Sequence, residues 1–348
     1  MATEVTRKSM PYVRLGKSGL KVSKIILGCM SYGSPDWQGW VLEEEEALKH
    51  IKYAYDHGIN AFDTANVYSN GRSEEILGKA IKQFDMNRDE IVVMTKVYFT
   101  VAWDMKLETW GMTPEDINAA GYVNQNGLSR KHIFDSVDRS LERLGLEYID
   151  LLQCHRFDYN TPIEETMQAL HDVVQSGKVR YIGMSSCYAW QFHAMQNYAI
   201  ANKLTPFISM QNHYNLVYRE EEREMMATLK HFGVGCIPWS PLAQGVLTRP
   251  LTQSSTRKEV DKVWQKGYEA PATDAVVNRT EEIAKRNGLS MAQVSLAWVM
   301  AKTTAPIVGT TSLKNLEELV GSVGIKLSEE DIEALEEPYR PRGVFGHM

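Results

Sequence analysis

Eight short apolar runs, each bounded by turn-forming residues, alternate with stretches of helical periodicity along almost the whole chain. The runs fall at 24–28, 61–63, 91–96, 150–155, 181–185, 208–212, 234–240 and 306–309. Between and after them, apolar residues recur at helical spacing at 43–57, 73–83, 131–144, 163–175, 190–202, 220–231, 277–286 and 313–320, with one further helix over 291–300. Strands too apolar to expose a face, each followed by a helix, predict a parallel sheet covered by helices. Eight such units predict closure into a (β/α)8 TIM barrel. The open doubly wound alternative would call for a Gly-x-Gly-x-x-Gly turn after an early strand, and the chain has none.

The 348 residues read as a single barrel domain with no linker, spanning 1–348. Residues 1–23 form an N-terminal segment and a β-hairpin, whose arms 13–15 and 20–22 flank a turn at 16–19 suited to plug the barrel floor. Two connections, 98–129 and 243–276, are too long for simple turns and follow strands, so they belong to the C-terminal rim where such barrels build their sites. They carry Trp103, Trp110 and Tyr122, and Trp264 and Tyr268; these aromatics either form an apolar lid or anchor the loops. The tail 338–348, rich in Pro and Arg, either folds over the mouth or is solvated.

A formal charge of −6, with no like-charge block longer than Glu43 to Glu46, argues against nucleic acid or an anionic membrane as partner. No stretch approaches the ~18 apolar residues of a membrane span. Cys29, Cys154, Cys187 and Cys236 stand apart without metal or disulfide spacing, which predicts reduced, buried thiols and a cytoplasmic location. A closed barrel needs no partner to cover a sheet edge, so a monomer is expected.

Four polar residues close separate apolar runs or follow them: Asp63 and Tyr68 in NAFDTANVYSNGRSEEILG, Lys96 after IVVMT, and His155 after IDLLQC. Consecutive strands would bring a carboxylate, a phenol, an ammonium and an imidazole to one rim. A phenol with a pKa of ~10 donates a proton poorly at neutral pH unless positive charge supports the phenolate, and Lys96 held by Asp63 could supply it. His155 could orient a substrate oxygen. Strand alternation points Cys154 away from His155, toward the helices. The chain lacks His-Glu-x-x-His, paired metal ligands and a Gly-x-Ser-x-Gly elbow, which disfavours metal or serine hydrolysis. A lysine engaged by a carboxylate also makes a poor Schiff-base nucleophile. The set can protonate a carbonyl but holds no electrons, so a cofactor must bring the hydride.

FDTANVYSNGRSEEILGKAI, Lys96 and His155 after successive strands, and GKVRYIGMSS resemble the aldo-keto reductase superfamily from the hairpin to about Gly321. GKSGLKVSKIILGCMSYG, MQNHYNLVYREEE, IPWSPLAQGVLTRP and EPYRPRG are most similar to fungal members grouped with aryl-alcohol dehydrogenases and versiconal hemiacetal acetate reductases. The resemblance implies reversible reduction of an aldehyde or ketone, in detoxification or in a dedicated step of secondary metabolism. Tyr68 would be general acid, Lys96 would lower its pKa, Asp63 would hold Lys96, and His155 would orient the carbonyl. Ser185, Ser186 and Gln211 would hold the nicotinamide carboxamide, with Ser186 standing where Asn is usual, and Trp239 would stack under the ring. Ser240, Leu242 and Gln244 fall in the segment over the pyrophosphate; Gly309, Thr310, Thr311, Lys314, Asn315 and Glu318 fall in the adenosine-phosphate segment. The implied cofactor is NADPH/NADP, with NADH left open because Gly309 and Asn315 replace the more usual Lys and Arg. Lys314 reads equally as a solvated helix residue. Tyr32, Trp37, Tyr98 and Trp103 are the candidate substrate-pocket residues, favouring an aromatic or extended apolar carbonyl. A nucleotide-sensing regulatory subunit akin to potassium-channel β subunits is the alternative that the same resemblance carries.

Overall fold

The computed structural model describes residues 9–253 and 266–347. The expected residues 1–8 of the N-terminal segment, Trp264 with the middle of the second rim loop, and Met348 lie outside the described residues. A hairpin of β1 (Tyr12–Arg14) and β2 (Lys21–Ser23) pairs Val13 with Val22. Eight strands then make one sheet: β3 (Ile26–Gly28), β4 (Ala61–Asp63), β5 (Val92–Val97), β6 (Ile149–Cys154), β7 (Val179–Ser185), β8 (Phe207–Gln211), β9 (Gly235–Cys236) and β10 (Ile307–Val308). Neighbours are parallel throughout, in the order β10-β3-β4-β5-β6-β7-β8-β9. The seam between β9 and β10 is bridged by Thr304 N–H to Cys236 O at 3.0 Å and Ile307 N–H to Pro238 O at 2.9 Å, which closes the (β/α)8 barrel.

The seventh-strand expectation over 234–240 shrinks to two paired residues. Pro238 has no N–H to donate, and Ser240 takes a left-handed φ of 50°, so the extended run ends early. The expected helix 220–231 is likewise split into a short 3-10 turn, Glu220–Glu222, and α7 (Met225–Phe232). The preceding helices are α1 (Glu44–Asp56), α2 (Arg72–Gln83), α3 (Pro114–Ala119), α4 (Arg130–Leu144), α5 (Ile163–Gln175) and α6 (Ala189–Ala201). After α7 come α8 (Pro271–Asn287), α9 (Met291–Lys302), α10 (Leu313–Val320) and α11 (Glu329–Glu336). Helix α3 lies inside the first rim loop, started by Pro114 and by a reciprocal cap between Thr113 and Asp116.

Strand alternation sorts the core into two layers. Outward residues such as Leu27, Phe62, Val93, Leu152, Cys154 and Ile182 pack against Ile51, Leu77, Ile133 and Met167 of the helices. Inward residues Ile26, Ala61, Val92, Met94, Leu151 and Ile307 meet Leu15 and Val22 of the hairpin, so the hairpin plugs the floor. Both hairpin side chains are fully buried, worth roughly 1.5–3 kcal/mol each. Moving up the barrel, the inward positions change from apolar to polar: Val92, Met94, then Lys96 on β5, and Leu151, then Gln153 on β6. The polar set is therefore confined to the C-terminal mouth, opposite the plug.

Candidate active site

Asp63 ends β4, and Lys96 pairs in register with Gln153 of β6, so three inward side chains meet at one level of the barrel. The Lys96 ammonium donates all three of its hydrogens: to Asp63 Oδ2 at 2.6 Å, to the Thr64 carbonyl at 2.8 Å and to Tyr68 Oη at 3.2 Å. The other oxygen of Asp63 accepts from Gln153 Nε2 and from Gln211 Nε2, each at 2.9 Å, and Gln211 also donates to Gln153 Oε1 at 2.8 Å. Asp63 is 2% and Lys96 1% exposed. A buried ion pair of this kind persists only where its remaining lone pairs and protons are satisfied, as here.

Tyr68 reaches the site because the chain after β4 makes a tight turn in which Ser69 and Asn70 both take φ near 47°. Asn70 then ties the turn to the first rim loop. Its Nδ2 donates to the carbonyls of Asp104 and Leu107, each at 3.1 Å, and its Oδ1 accepts from Ala102 N–H at 3.0 Å. The loop so held brings Trp110 over the phenol, the two rings stacked at 6.0 Å. His155 stands edge-on to Tyr68 at 5.7 Å.

Burial pushes the Tyr68 phenol above its ordinary range, and Lys96 opposes this without cancelling it. The expected lowering by Lys96 is thus present in direction but outweighed, and the phenol is protonated at neutral pH. For Lys96 burial acts downward, yet Asp63 and Tyr68 more than compensate and the ammonium is held above its ordinary value. Burial, then the charges of Arg156 and Lys96, hold His155 well below the usual imidazole value, so it is neutral.

A cavity of about 810 Å³ opens over these groups. Asp63, Tyr68, His155, Ser185, Gln211 and Trp239 line one part of it; Ser240, Leu242, Gln244, Gly309, Thr310, Thr311, Asn315 and Glu318 line the remainder. Ser186 and Lys314 are not on its wall. Ser186 is fully buried behind Trp239, and its hydroxyl accepts the indole N–H at 2.9 Å. Lys314 points to solvent on α10. Trp239 is also stacked on His213 at 4.2 Å and 10°, which fixes its plane.

The substrate-pocket expectations need correction. Tyr32 is buried on the helix side, its hydroxyl 3.2 Å from His50 Nδ1, because the chain after β3 turns it outward. Tyr98 lies half-buried against the outer core and away from the cavity wall. Trp103 is 74% exposed and packs at a tilt against Tyr122 instead, ring centres 4.4 Å apart. Trp37 packs behind Tyr68 and Trp110, at 6.5 and 5.5 Å. Trp40 and Trp110 line the cavity with Tyr68, in addition to Trp239. Gln153 and Arg156 are further site residues not singled out from the sequence; a glutamine at an inward position of an apolar strand was the available signal.

The cavity suits an elongated, phosphate-bearing ligand. Gly28 and Gly309 leave bare backbone on its floor: a Cβ on Gly28 would meet Ile307 at 2.9 Å, and one on Gly309 would meet the Gly28 carbonyl at 3.3 Å. Ser240, Ala243, Gln244 and Gly245 all take positive φ, a backbone habit that turns amides toward an anion. The Gln244 Oε1 atom, an acceptor, is buried without a partner among the described residues, which suits a hydroxyl or amide N–H of such a ligand. The first turn of α10 adds a helix N-terminus with Thr310 and Thr311 beside it. No group of His, Cys, Asp and Glu among the described residues could hold a metal ion, and no helix among them is long and apolar enough to cross a membrane.

A family profile described as the aldo/keto reductase family matches residues 24–340. The chain is 50% identical over 345 residues to a versiconal hemiacetal acetate reductase of Aspergillus parasiticus, covering 96% of this chain and 98% of that protein. A putative aryl-alcohol dehydrogenase of Schizosaccharomyces pombe shares 48% identity, with 97% of this chain and 98% of the relative aligned. One of Saccharomyces cerevisiae shares 44%, with 95% and 97% aligned. Matched from the first barrel strand to the C-terminal tail, and half identical to a named reductase, this chain belongs to the aldo/keto reductase family and is an oxidoreductase.

Proposed function

We propose that this enzyme reduces an aldehyde or ketone to the alcohol, reversibly, with NADPH as cofactor and Tyr68 as the proton donor. The observation that carries the reading is the saturation of Lys96. Because the ammonium donates to the phenol oxygen, the phenolic hydrogen is left to point into the cavity. Lys96 and Asp63 then support the phenolate that remains after transfer. Neutral His155 holds the carbonyl oxygen by a ring N–H. The bound nicotinamide supplies the hydride.

Ser185 and Gln211 offer acceptors to the carboxamide. The Ser185 hydroxyl hydrogen is used on the Gln211 carbonyl at 2.9 Å, and the Gln211 amide hydrogens are used on Asp63 and Gln153. What each has left is an oxygen lone pair, which suits an amide N–H. Trp239 supplies the stacking plane, with Ser186 positioning it from behind. Ser240, Leu242 and Gln244 would follow the pyrophosphate, and Thr310, Thr311 and Asn315 the adenosine phosphate, with Glu318 on the same wall.

At this end of the cavity Arg249, beside Gly245 and Thr248, rather than Lys314, offers positive charge, and it is the basis for preferring NADPH. Arg249→Ala is expected to raise KM for NADPH about tenfold or more, the weight of a charge-assisted phosphate contact, and to leave NADH nearly unchanged. Equal effects on both nucleotides would assign Arg249 another role. The aromatic wall, and relatives named for aryl alcohols and a hemiacetal acetate, support an aromatic or extended carbonyl as substrate. The direct test is loss of reduced-nicotinamide absorbance when aromatic aldehydes are added to the purified enzyme. An enzyme that consumes neither NADPH nor NADH with any aldehyde or ketone would sink the proposal.

A further inference from the structure

Arg156 follows His155 at the end of β6 and is 3% exposed, yet its guanidinium lies on the wall of the catalytic cavity with Tyr68, Trp110 and His155. Among the described residues no carboxylate forms an ion pair with it. Nη1 donates to the His155 carbonyl at 2.6 Å, while Nε is buried with no acceptor among the described residues. The nearest catalytic carboxylate, Asp63, has both oxygens committed to Lys96, Gln153 and Gln211. Buried charges are ordinarily paired, and buried donors ordinarily bonded. Burial brings the guanidinium down to about 10, so it is still cationic at neutral pH.

The same part of the cavity is short of acceptors in a second way. The indole N–H of Trp110, on the cavity wall beside Tyr68, is buried without an acceptor among the described residues. Trp110 stacks on both Tyr68 and Phe99, and the Arg156 guanidinium lies 5.7 Å from the Phe99 ring. The wall is thus flat, aromatic and rich in unmatched donors. Its complement is an aromatic ligand carrying an anionic oxygen.

We infer that Arg156 is a substrate-anchoring residue, and that the preferred substrates are aromatic aldehydes or ketones bearing a carboxylate, whose oxygens take the open donors of Arg156 while the carbonyl lies at Tyr68 and His155. This rests on the carbonyl-reductase reading above and adds the charge of the substrate to it. A fork of parallel N–H groups matches a carboxylate in geometry as well as charge. Arg156 forms no bond to the reacting atoms and would act by binding and orientation.

The test compares benzaldehyde with the ortho, meta and para formylbenzoates as substrates of the full-length enzyme with NADPH. At least one formylbenzoate is expected to show kcat/KM about tenfold or more above benzaldehyde, as a charge-assisted bond allows. Arg156→Gln should abolish that advantage through KM, lowering kcat/KM for the formylbenzoates about tenfold or more beyond any loss for benzaldehyde, and Arg156→Lys should restore part of it. No advantage for any isomer in the wild type would overturn the inference, as would equal losses for benzaldehyde and formylbenzoates in Arg156→Gln. A second measurement needs no turnover and no variant: benzoate should quench tryptophan fluorescence of the nucleotide-free enzyme saturably and weaken with salt, whereas benzyl alcohol should not. Absence of benzoate binding counts against the anchor. Failure of every aldehyde to react, with benzoate still binding, would instead remove the reductase reading and leave the anion site standing.

Discussion

Tyr68→Phe is expected to lower kcat/KM for aromatic-aldehyde reduction by about 10²–10⁴-fold, the range that a positioned acid contributes. The ring itself is retained, so its stacking with Trp110 and its edge contact with His155 survive. Lys96 loses only the longest of its three hydrogen bonds. The variant should therefore fold and bind nucleotide as the parent does, with the loss falling on kcat. Unchanged nucleotide affinity with collapsed turnover is the signature of a group needed in the transition state. A variant that keeps turnover within a few-fold would mean that the proton comes from elsewhere.

Lys96→Met should have the largest effect on stability, because it strips the cation from a carboxylate that is almost completely buried. Asp63 would keep the two amide hydrogen bonds from Gln153 and Gln211 and lose the charge that balances it. Breaking a buried pair on one side costs about 3–5 kcal/mol, measurable as a lowered midpoint of urea unfolding at unchanged slope. Asp63→Asn combined with Lys96→Met should be less destabilised than Lys96→Met alone, since no uncompensated charge remains. A single variant within about 1 kcal/mol of the parent would contradict the ion-pair account. Activity should fall in both, because the phenolate left by proton transfer loses its support.

The barrel was legible because its strands are apolar on both faces and each is followed by a helix with one apolar side. Asp63, Lys96 and His155 were legible as polar residues closing such strands. What the strand pattern could not convey was where chains go after they leave the sheet. Tyr32 turns outward to His50, and Trp103 turns to Tyr122, although both sit on rim segments. Trp110 reaches Tyr68 only because Asn70 clamps the loop through backbone contacts, a long-range arrangement with no local signature. Gln153 was readable in principle, being two residues before His155 and so on the same face of its strand. Arg156 was not, since its significance lies in the partner it lacks. The shortened β9 reflects Pro238 and the left-handed Ser240, a conflict between an apolar run and its own backbone. Helix α11 carries a start signal, Ser328 capping it in SEED, but the apolar stripe behind it is too short to mark a helix by periodicity.

In the proposed reaction the proton comes from a phenol kept protonated by burial, and a neutral imidazole only orients the carbonyl. The most direct measurement is the pH dependence of single-turnover reduction of an aromatic aldehyde. Tyr68 must carry its proton to react, so the rate should be present below its pKa and lost above it. With that pKa raised by burial, the rate should be level through neutrality and fall only as pH rises past the ordinary tyrosine value of about 10. A rate that is already lost as pH rises from acid toward neutrality, below the ordinary imidazole value of about 6.5 where buried His155 gives up its proton, would make His155 the acid and contradict the account.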